Sequence, residues 1–358
     1  MKKDFNFPLF KTKVAGIRGE FNLEDPKSRK KYFEAKAGQE IKFIRNYLKR
    51  NTFVGILLGK KSAGKGTYSK LFKEAIGDKY IAHVSIGDAI RKAHHDLGTK
   101  AGKKELEKFL ENRYRGFISI KQALDVISGR DTKTLLPTEI ALALLEREID
   151  QAQGKAVFID GFPRNLDQIA FSLFLRSIMG YREDPDFLVF IDLPEQIIDE
   201  RMKTRVICPN CQTPRNLKLL RTKRAGYDPS KKSFYLICDN ESCKDSRMVT
   251  KEGDEFGIEN IRERVNTDHS VMEKLLGIQG VPKVLLRNSI PVNKAKQYVD
   301  AYEITPAYGY RLNADKEVEM LESPWEIRVG KESFYSLLPA PVAVSFIKQV
   351  AEILKNQR

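Results

Sequence analysis

Long hydrophobic runs are absent from this 358-residue sequence. Hydrophobic residues make up 41% of the chain, yet no stretch approaches the roughly 20 consecutive apolar residues that cross a bilayer. The opening residues 1–8 also lack an apolar segment of signal-peptide length. The sequence therefore predicts no association with a membrane, and we expect a cytoplasmic location.

Histidine is scarce, with four residues in the whole chain. Two of them, His94 and His95, are adjacent in a polar stretch and are expected to be exposed. No Ser-His-Asp or Cys-His arrangement is visible, so the sequence offers no candidate nucleophile of that kind. Internal repeats and low-complexity segments are absent as well. The balance of 41% hydrophobic and 31% charged residues is typical of a globular protein.

Cysteine occurs in one segment only. Cys208 and Cys211 form one pair, Cys238 and Cys243 form a second, and 26 residues separate the pairs. Two short knuckles at the ends of a hairpin are the arrangement that closes a tetrahedral zinc site, and four thiolates also accept iron. Two disulfides or four unrelated thiols are the alternatives, although structural disulfides are rare in the cytosol. We predict a structural Zn²⁺ ion bound by the four cysteines.

Positive charge exceeds negative charge, and the net charge of +15 is unevenly spread. Residues 1–50 hold 14 Lys and Arg against 6 Asp and Glu, and residues 205–250 hold 10 against 4. Such segments suit polyanionic partners, including nucleotides and RNA. For the first segment a solvated helix face is the simpler interpretation, because apolar residues at three- and four-residue steps predict a helix over 27–49.

A glycine-rich loop follows the first apolar run. Residues 59–67 read Gly-Lys-Lys-Ser-Ala-Gly-Lys-Gly-Thr after a predicted buried strand over 52–58, and a predicted helix follows. This matches a phosphate-binding loop, except that Gly66 stands where Ser or Thr is usual. Glycines let the backbone wrap around phosphate oxygens, and Lys65 places a mobile positive charge on them. A glycine-rich surface turn is the alternative. The predicted ATP-binding residues of the loop are Gly59, Ser62, Ala63, Gly64, Lys65, Gly66 and Thr67.

Three further segments follow in a fixed order. Residues 85–91 follow a short predicted strand, residues 160–168 follow another, and a strand over 187–192 leads into a helical stretch over 199–205. With the Gly-Lys-Gly-Thr loop, this series resembles adenylate kinase and its nucleoside monophosphate kinase relatives, over roughly residues 52–270. The resemblance implies an α/β P-loop NTPase fold, with a five-stranded parallel sheet of order 2-3-1-4-5 flanked by helices. A helical monophosphate-binding insertion and a zinc-binding lid are also implied.

The resemblance divides the chain into segments. Two helices are expected in the part after the lid, over 258–276 and 342–355, whereas residues 271–335 receive no role. The segments are a basic, partly helical N-terminal extension (1–50), core with the phosphate loop (51–84), an enlarged monophosphate-binding subdomain (85–140), core (141–205), the zinc lid (206–257), and core return with a C-terminal extension (258–358).

The resemblance also implies roles for individual residues. The catalytic set is Lys65, Arg164, Arg201, Arg205 and Arg264, with Arg201 and Arg205 also contacting ATP. The implied monophosphate site is Ser85, Ile86, Gly87, Arg91, Gly161, Arg164, Gln168 and Arg264. Asp160 organises water around Mg²⁺, which accompanies ATP. For Arg201 and Arg205, salt bridges to Asp199 or Glu200 are the alternative. Arg264 is favoured over Arg262, which becomes a solvated neighbour.

The accepted base is predicted from Gln168, which matches the residue that reads adenine in the family. Asn165 and Ile86 instead resemble pyrimidine-nucleotide kinases. The family also carries a lid arginine that is missing before Gly253, where Lys251 could act only as a point charge. The expected reaction is reversible, Mg-dependent transfer from ATP to AMP, giving two ADP, by a monomer. The alternatives are a UMP/CMP-type or broad nucleoside monophosphate kinase and, more distantly, a non-catalytic nucleic-acid-binding protein.

Overall fold

A computed structural model describes residues 5, 7–17, 19–129, 136–152, 154–169, 186–211, 213–250 and 253–356. The strands in chain order are β1 Val54–Gly59, β2 Ile81–Ser85, β3 Ala156–Asp160, β4 Asp186–Asp192, β5 Arg205–Ile207, β6 Pro214–Asn216, β7 Arg224–Asp228, β8 Ser233–Ile237, β9 Val249–Thr250, β10 Lys283–Arg287, β11 Ser289–Pro291, β12 Pro306–Leu312, β13 Val318–Pro324, β14 Glu326–Val329 and β15 Glu332–Ser336. The α-helices are α1 Pro26–Tyr47, α2 Lys65–Ile76, α3 Ile86–Leu97, α4 Lys100–Arg113, α5 Ile120–Ser128, α6 Thr138–Asp150, α7 Glu195–Lys203, α8 Arg262–Leu276, α9 Val292–Tyr298 and α10 Pro339–Asn356.

The central sheet has five parallel strands in the order β2-β3-β1-β4-β10. This confirms the predicted order 2-3-1-4-5, because β10 is the fifth strand of this sheet along the chain. All six residues of β1 are buried, as expected for a strand covered by helices on both faces. A Cβ at Gly55 would lie 2.7 Å from the Phe158 ring. Glycine there lets an aromatic side chain lie across the strand.

Aromatic side chains fill one side of the sheet. Phe72 of α2 and Phe346 of α10 pack with ring centroids 4.8 Å apart, and each also contacts Phe158 of β3. The C-terminal helix α10 is thus part of the core. It begins at Pro339, three residues before the predicted start, because proline is tolerated in the first helical turn.

The N-terminal extension packs on the same core. Its helix α1 corresponds to the helix predicted over 27–49, and Asp25 caps it by accepting the backbone N–H of Ser28 at 2.7 Å. Tyr32 and Phe33 are buried. Lys36 is also buried and lies 2.6 Å from Asp300. Part of the positive charge of residues 1–50 therefore has an internal partner.

The connection from the lid to the core differs from the prediction. The expected helix over 258–276 begins only at Arg262, and a 3₁₀ stretch over Asp254–Ile261 precedes it. The reason is Ile261, whose φ of −124° and ψ of 15° are non-helical and separate the 3₁₀ stretch from α8. Among the described residues, no helix is both long enough and apolar enough to cross a membrane.

The segment between β10 and α10, to which no role was assigned from sequence, contains two small antiparallel sheets. One has the order β11-β15-β14, and the other is the hairpin β12–β13. Buried polar residues link this segment to α1, since Tyr32 Oη donates to Glu303 at 2.6 Å. The segment is therefore packed against the core.

Candidate active site

The phosphate loop connects β1 to α2, as its sequence predicts. Gly64 immediately precedes the helix with φ of 94°, and a Cβ there would lie 3.2 Å from the Tyr68 ring. Ser62 also has a left-handed φ of 67°. Apart from its chain neighbours and its own helical turn, a Cβ at Gly66 would meet no atom of the described residues within 4 Å, so their packing does not require this glycine. The loop backbone and the start of α2 form an anion-binding geometry.

Lys65 is the first residue of α2, and its ammonium group folds back over the loop. It donates to the carbonyl of Gly59 at 2.8 Å and to that of Lys60 at 3.2 Å. Burial lowers the pKa of Lys65, while Asp160 and Asp268 act in the opposite direction. The two carboxylates thus help to keep the lysine charged next to the loop.

A cavity of about 680 Å³ lies between the loop, the end of β3 and the start of α8. Its lining includes Arg262 and Asp268 of α8, which the resemblance did not assign to the site. The cavity brings together seven residues of the predicted site, namely Gly59, Ser62, Lys65, Asp160, Gly161, Arg164 and Arg264. Asp160 ends β3 and supplies an oxygen ligand of the type that Mg²⁺ prefers.

Two arginines of the predicted monophosphate site converge on the start of α3. A Cβ at Gly87 would lie 3.5 Å from Arg91 Nη1 and 3.7 Å from Arg164 Nη2. Ser85 caps α3 by accepting the backbone N–H of Asp88 at 3.3 Å. Gly161 has φ of 85°, and a Cβ there would lie 2.9 Å from Arg164 Nη2. Two guanidinium groups at a helix N-terminus form a second anion-binding geometry, next to the first.

Gln168 is buried in a small cavity whose lining includes Ile86 and Arg164. Its Oε1 accepts the backbone N–H of Arg164 at 2.8 Å, and its Nε2 lies 3.3 Å from Thr138 Oγ1. Asn165 Oδ1 accepts the backbone N–H of Gln168 at 3.0 Å. Asn165 therefore has a structural role as the cap of this turn, which accounts for an asparagine there without reference to the base.

Arg201 and Arg205 lie on α7 and just after it, and neither lines the main cavity. Arg201 has no carboxylate partner among the described residues, and its Nη2 lies 3.5 Å from Ser336 Oγ. Burial lowers the pKa of Arg201, while the Tyr68 hydroxyl acts in the opposite direction. Arg205 is bound by both oxygens of Asp254, at 2.5 and 2.7 Å.

The alternative partners considered for these two arginines are occupied elsewhere. Asp199 binds Lys203 at 2.7 Å, and Glu200 binds Lys218 at 2.7 Å. The interpretation of Arg201 and Arg205 as a helix face paired with Asp199 and Glu200 is therefore wrong. Arg201 is left as a partly exposed cation without a carboxylate counter-ion in the described part of the chain.

The two arginines at the start of α8 have different partners. Arg264 donates to the Arg164 carbonyl at 3.1 Å and to Asp268 at 2.8 Å. Arg262 donates to Glu195 and Glu259, each at 2.5 Å. Arg262 is thus neutralised by two carboxylates and is more than a solvated neighbour, whereas Arg264 joins the predicted site residue Arg164.

The four cysteines of the lid form one cluster. Their sulfur atoms all lie within 4.8 Å of one another, and Cys211 Sγ is 3.7 Å from Cys238 Sγ. The four are free cysteines, so the disulfide alternative is not observed. Zn–S bonds of about 2.3 Å in a tetrahedron would place sulfur atoms roughly 3.8 Å apart. The cluster is compatible with zinc.

The pKa shifts differ between the cysteines of the cluster, since burial raises the pKa of Cys243 whereas hydrogen bonds lower that of Cys211. Thr213, through its hydroxyl and its backbone, lowers the pKa of Cys211 to about 6. Cys211 Sγ lies 3.2 Å from Thr213 Oγ1. A thiolate is the form that binds metal. Lys251, the suggested substitute for a lid arginine, lies outside the described residues.

Two acids of the site were missed, and for one of them the partner is distant in sequence. Asp254 is an isolated acid whose partner Arg205 becomes evident only in the fold. Asp268 lies four residues after Arg264 on the same helix, a spacing that could have shown the pair in the sequence. His83 Nδ1 lies 2.8 Å from Ser69 Oγ behind the first turn of α2. Ser69 is fully buried, so this pair supports the loop helix and supplies no accessible nucleophile.

Comparison with known proteins shows the family. The adenylate kinase of Elusimicrobium minutum is 30% identical over 222 residues, which cover 62% of this chain and 84% of that protein. This chain belongs to the adenylate kinase family. The adenylate kinase of Oceanobacillus iheyensis is 30% identical over 204 residues, 56% of this chain and 75% of the relative.

A third relative, the adenylate kinase of Kosmotoga olearia, is 32% identical over 170 residues, 47% of this chain and 66% of its own length. No protein-family model matches the sequence. As a member of the adenylate kinase family, the protein is a nucleotide-binding phosphotransferase of the nucleoside monophosphate kinase class.

Proposed function

We propose that the protein transfers a phosphoryl group reversibly from MgATP to AMP, giving two ADP. This proposal rests on one observation, namely that positively charged side chains meet at two adjacent anion-binding sites. Lys65, Arg164 and Arg264 border one cavity, and Arg164 also meets Arg91 at Gly87. Arg164 thus lies next to both anion-binding sites, the phosphate loop and the start of α3, as transfer between two bound phosphates requires.

The phosphate loop and Lys65 would hold the β- and γ-phosphates of ATP. Lys65 lies against Gly59 and Lys60 before binding, so its ammonium is already directed at the loop. Arg201 is available to ATP because no described carboxylate neutralises it. Arg205 would first have to share or leave Asp254. Its part in the reaction therefore depends on movement of the lid.

Arg91 and Arg164 would hold the α-phosphate of the monophosphate over the start of α3. Arg91 is exposed and pairs with Asp88 on the same helix. Surface pairs of this kind contribute little, so a phosphate can replace the carboxylate at small cost. Arg264, fixed beside Arg164, would stabilise charge on the transferred group. Guanidinium groups suit this role because they match phosphate geometry and stay charged.

Mg²⁺ bound with ATP neutralises phosphate charge during transfer. Asp160 would hold water ligands of that ion, since its carboxylate borders the same cavity as Lys65. Four cysteines would hold zinc in the lid, namely Cys208, Cys211, Cys238 and Cys243. The zinc would order the fold of the lid and take no part in the chemistry.

We place the mobile monophosphate-binding subdomain at 85–140 and the lid at 206–257, flanked by core at 51–84, 141–205 and 258–358. Their closure would exclude water.

Adenine is favoured as the accepted base because Gln168 is buried where the monophosphate site continues. Asn165, the main feature in favour of a pyrimidine nucleotide, is explained by its cap on the backbone of Gln168. A UMP/CMP-type kinase is the second candidate, since Ile86 also lines the small cavity.

Nucleic-acid binding is disfavoured by the partners of the lid arginines. A basic surface that binds RNA presents unpaired guanidinium groups to phosphates. Here all five arginines of residues 205–250 have partners within the chain, namely Arg205 with Asp254, Arg215 with Asp239, Arg221 with Tyr308, Arg224 with Asp245 and Arg247 with Asp228.

An assay of ADP formation from MgATP with AMP, CMP, UMP or GMP tests the proposal. We expect AMP to give the highest kcat/KM. A preference for CMP or UMP would replace the adenylate assignment with the second candidate. No turnover with any of the four would overturn the catalytic proposal itself.

A further inference from the structure

Asp268 places a carboxylate in a cavity that otherwise gathers cations. It lies one turn after Arg264 on α8 and is 7% exposed. It borders the main cavity together with Lys65 and Arg164. A carboxylate here repels phosphate and loses solvation, so its presence needs a compensating interaction.

That interaction is with Arg264. Asp268 accepts from Arg264 Nη2 at 2.8 Å, while Arg264 Nη1 donates to the Arg164 carbonyl at 3.1 Å. The guanidinium is therefore fixed at two points, one on its own helix and one on the loop after β3. A plane held at two points cannot rotate freely toward solvent.

The neighbouring arginine shows that this pairing is selective. Arg262 is two residues earlier on α8 and also borders the cavity, but its partners are Glu195 and Glu259. The acids around α8 thus separate the two arginines. Glu195 and Glu259 neutralise Arg262, and Asp268 leaves Arg264 joined to the phosphate-site residue Arg164.

The surroundings of Asp268 explain how a buried carboxylate persists. Burial raises the pKa of Asp268, and Arg264, Lys65, the backbone N–H of Lys61 and Arg164 act in the opposite direction. Within the described residues, its Oδ2 makes no hydrogen bond. Its single hydrogen-bonded side-chain partner there is the guanidinium of Arg264.

We propose that Asp268 is a positioning residue, which orients the Arg264 guanidinium toward the phosphoryl group during transfer. The inference rests on the proposed function, in which Arg264 contacts that group. In this role Asp268 acts through Arg264 and not by contact with substrate. Loss of its carboxylate should therefore act through Arg264 and through the chemical step.

The test is a double-mutant cycle of Asp268→Ala and Arg264→Ala, with kcat and KM measured for both nucleotides. We expect Asp268→Ala to lower kcat by roughly 10- to 100-fold, with less than about threefold change in KM for ATP. In the Arg264→Ala background the same substitution should change kcat by less than about twofold. Asp268→Asn should recover most of the loss, because its amide oxygen accepts the same hydrogen bond.

Thr267→Ala is the matched control, since among the described residues the Thr267 hydroxyl bonds only the Glu263 carbonyl of its own helix, at 2.9 Å. It should leave kcat unchanged. Circular dichroism confirms that each variant is folded. An equal loss from Asp268→Ala with and without Arg264 would overturn the inference, and so would wild-type kcat in Asp268→Ala.

The proposed function and this inference fail in different ways. A wild-type protein without turnover on any monophosphate contradicts the function. The cycle is then measured as ADP affinity by calorimetry, and non-additive losses still support the coupling of Asp268 to Arg264. Additive losses in that measurement contradict it.

Discussion

At the scale of single residues, the site depends on cations held by neighbours that compete with phosphate only weakly. Lys65 is held by two carbonyl groups, Arg164 lies beside Gly161 and Gly87, and Arg91 pairs with an exposed acid. Lys65 and Arg91 can therefore turn to a bound phosphate with little rearrangement. Preorganised charge of this kind is usually the largest contribution to catalysis of phosphoryl transfer.

Lys65→Ala should lower the turnover of MgATP and AMP by roughly a hundredfold or more, because charge directed at the transition state is lost. The loop backbone remains, so weak nucleotide binding should persist. Steady-state kinetics with calorimetry of ATP binding measures both effects. Lys70→Ala, on the exposed side of α2, is the control. Turnover near that of the wild type in Lys65→Ala would show that the phosphate loop is misassigned.

Gln168→Ala should raise the KM for AMP far more than the KM for ATP. A base edge left without its partner costs about 1–3 kcal/mol, which corresponds to roughly 5- to 150-fold. Asp167→Ala, at the exposed neighbouring position, controls for changes in the turn. Equal effects on the two nucleotides, or no effect on either, would remove Gln168 from the monophosphate site.

Residues whose function follows from local sequence could be predicted, and residues defined by distant partners could not. Gly59, Lys65 and Arg164 lie within or next to short loops that follow strands, so local motifs predict them. All three border the same cavity. Asp268 follows Arg264 by one helical turn, so its spacing within the predicted helix over 258–276 could have shown this pair. Asp254 is an isolated acid in the sequence, and only tertiary packing gives it Arg205. Arg201 lies apart from the cavity for the same reason, because its position depends on Tyr68 and Ser336.

At the scale of secondary-structure elements, the hairpin β12–β13 is the feature that sequence patterns did not reveal. It contacts the lid through Tyr310, whose hydroxyl donates to the Leu217 carbonyl at 2.6 Å and whose ring lies 5.6 Å from that of Phe234. The backbone N–H of Tyr308 donates to the Lys218 carbonyl at 2.7 Å. The hairpin therefore packs the C-terminal segment against the lid.

Tyr310→Ala should loosen the lid while leaving the core intact. An aromatic pair contributes about 0.5–1.5 kcal/mol and a hydrogen bond about 1 kcal/mol, so Tyr310→Phe should have the smaller effect. Hydrogen exchange followed by mass spectrometry should show faster exchange in peptides from 214–237. Leu312→Ala, an exposed change on the same strand, is the control. Unchanged exchange in Tyr310→Ala would mean that the hairpin does not restrain the lid.

The cysteine cluster is predicted to bind about one zinc ion per chain. Cys208→Ser, or chelation, should lower the Tm and unfold the lid while the central sheet stays folded, because metal binding supplies folding energy locally. Elemental analysis and near-ultraviolet circular dichroism check the two parts. Sub-stoichiometric iron would be consistent, since four thiolates accept either metal. Protein without either metal, with four thiols that titrate in the native state, would contradict the prediction.

At the scale of the whole molecule, additions at both ends of the family core are joined to one another. Lys36 and Tyr32 of α1 bind Asp300 and Glu303 of the C-terminal segment. The same segment continues into the hairpin that contacts the lid. Composition alone could not show this, because the excess charge of residues 1–50 favours a solvated helix face, with nucleic-acid binding as the alternative.

The central claim is that two adjacent sites on one chain each accept an adenine nucleotide and exchange a phosphoryl group. Incubation of the protein with MgADP as the sole nucleotide, followed by chromatography, tests it most directly. We expect ATP and AMP in equal amounts, and loss of both products in Lys65→Ala. Failure to form ATP and AMP from ADP alone, by protein that is folded and binds ADP, would contradict it.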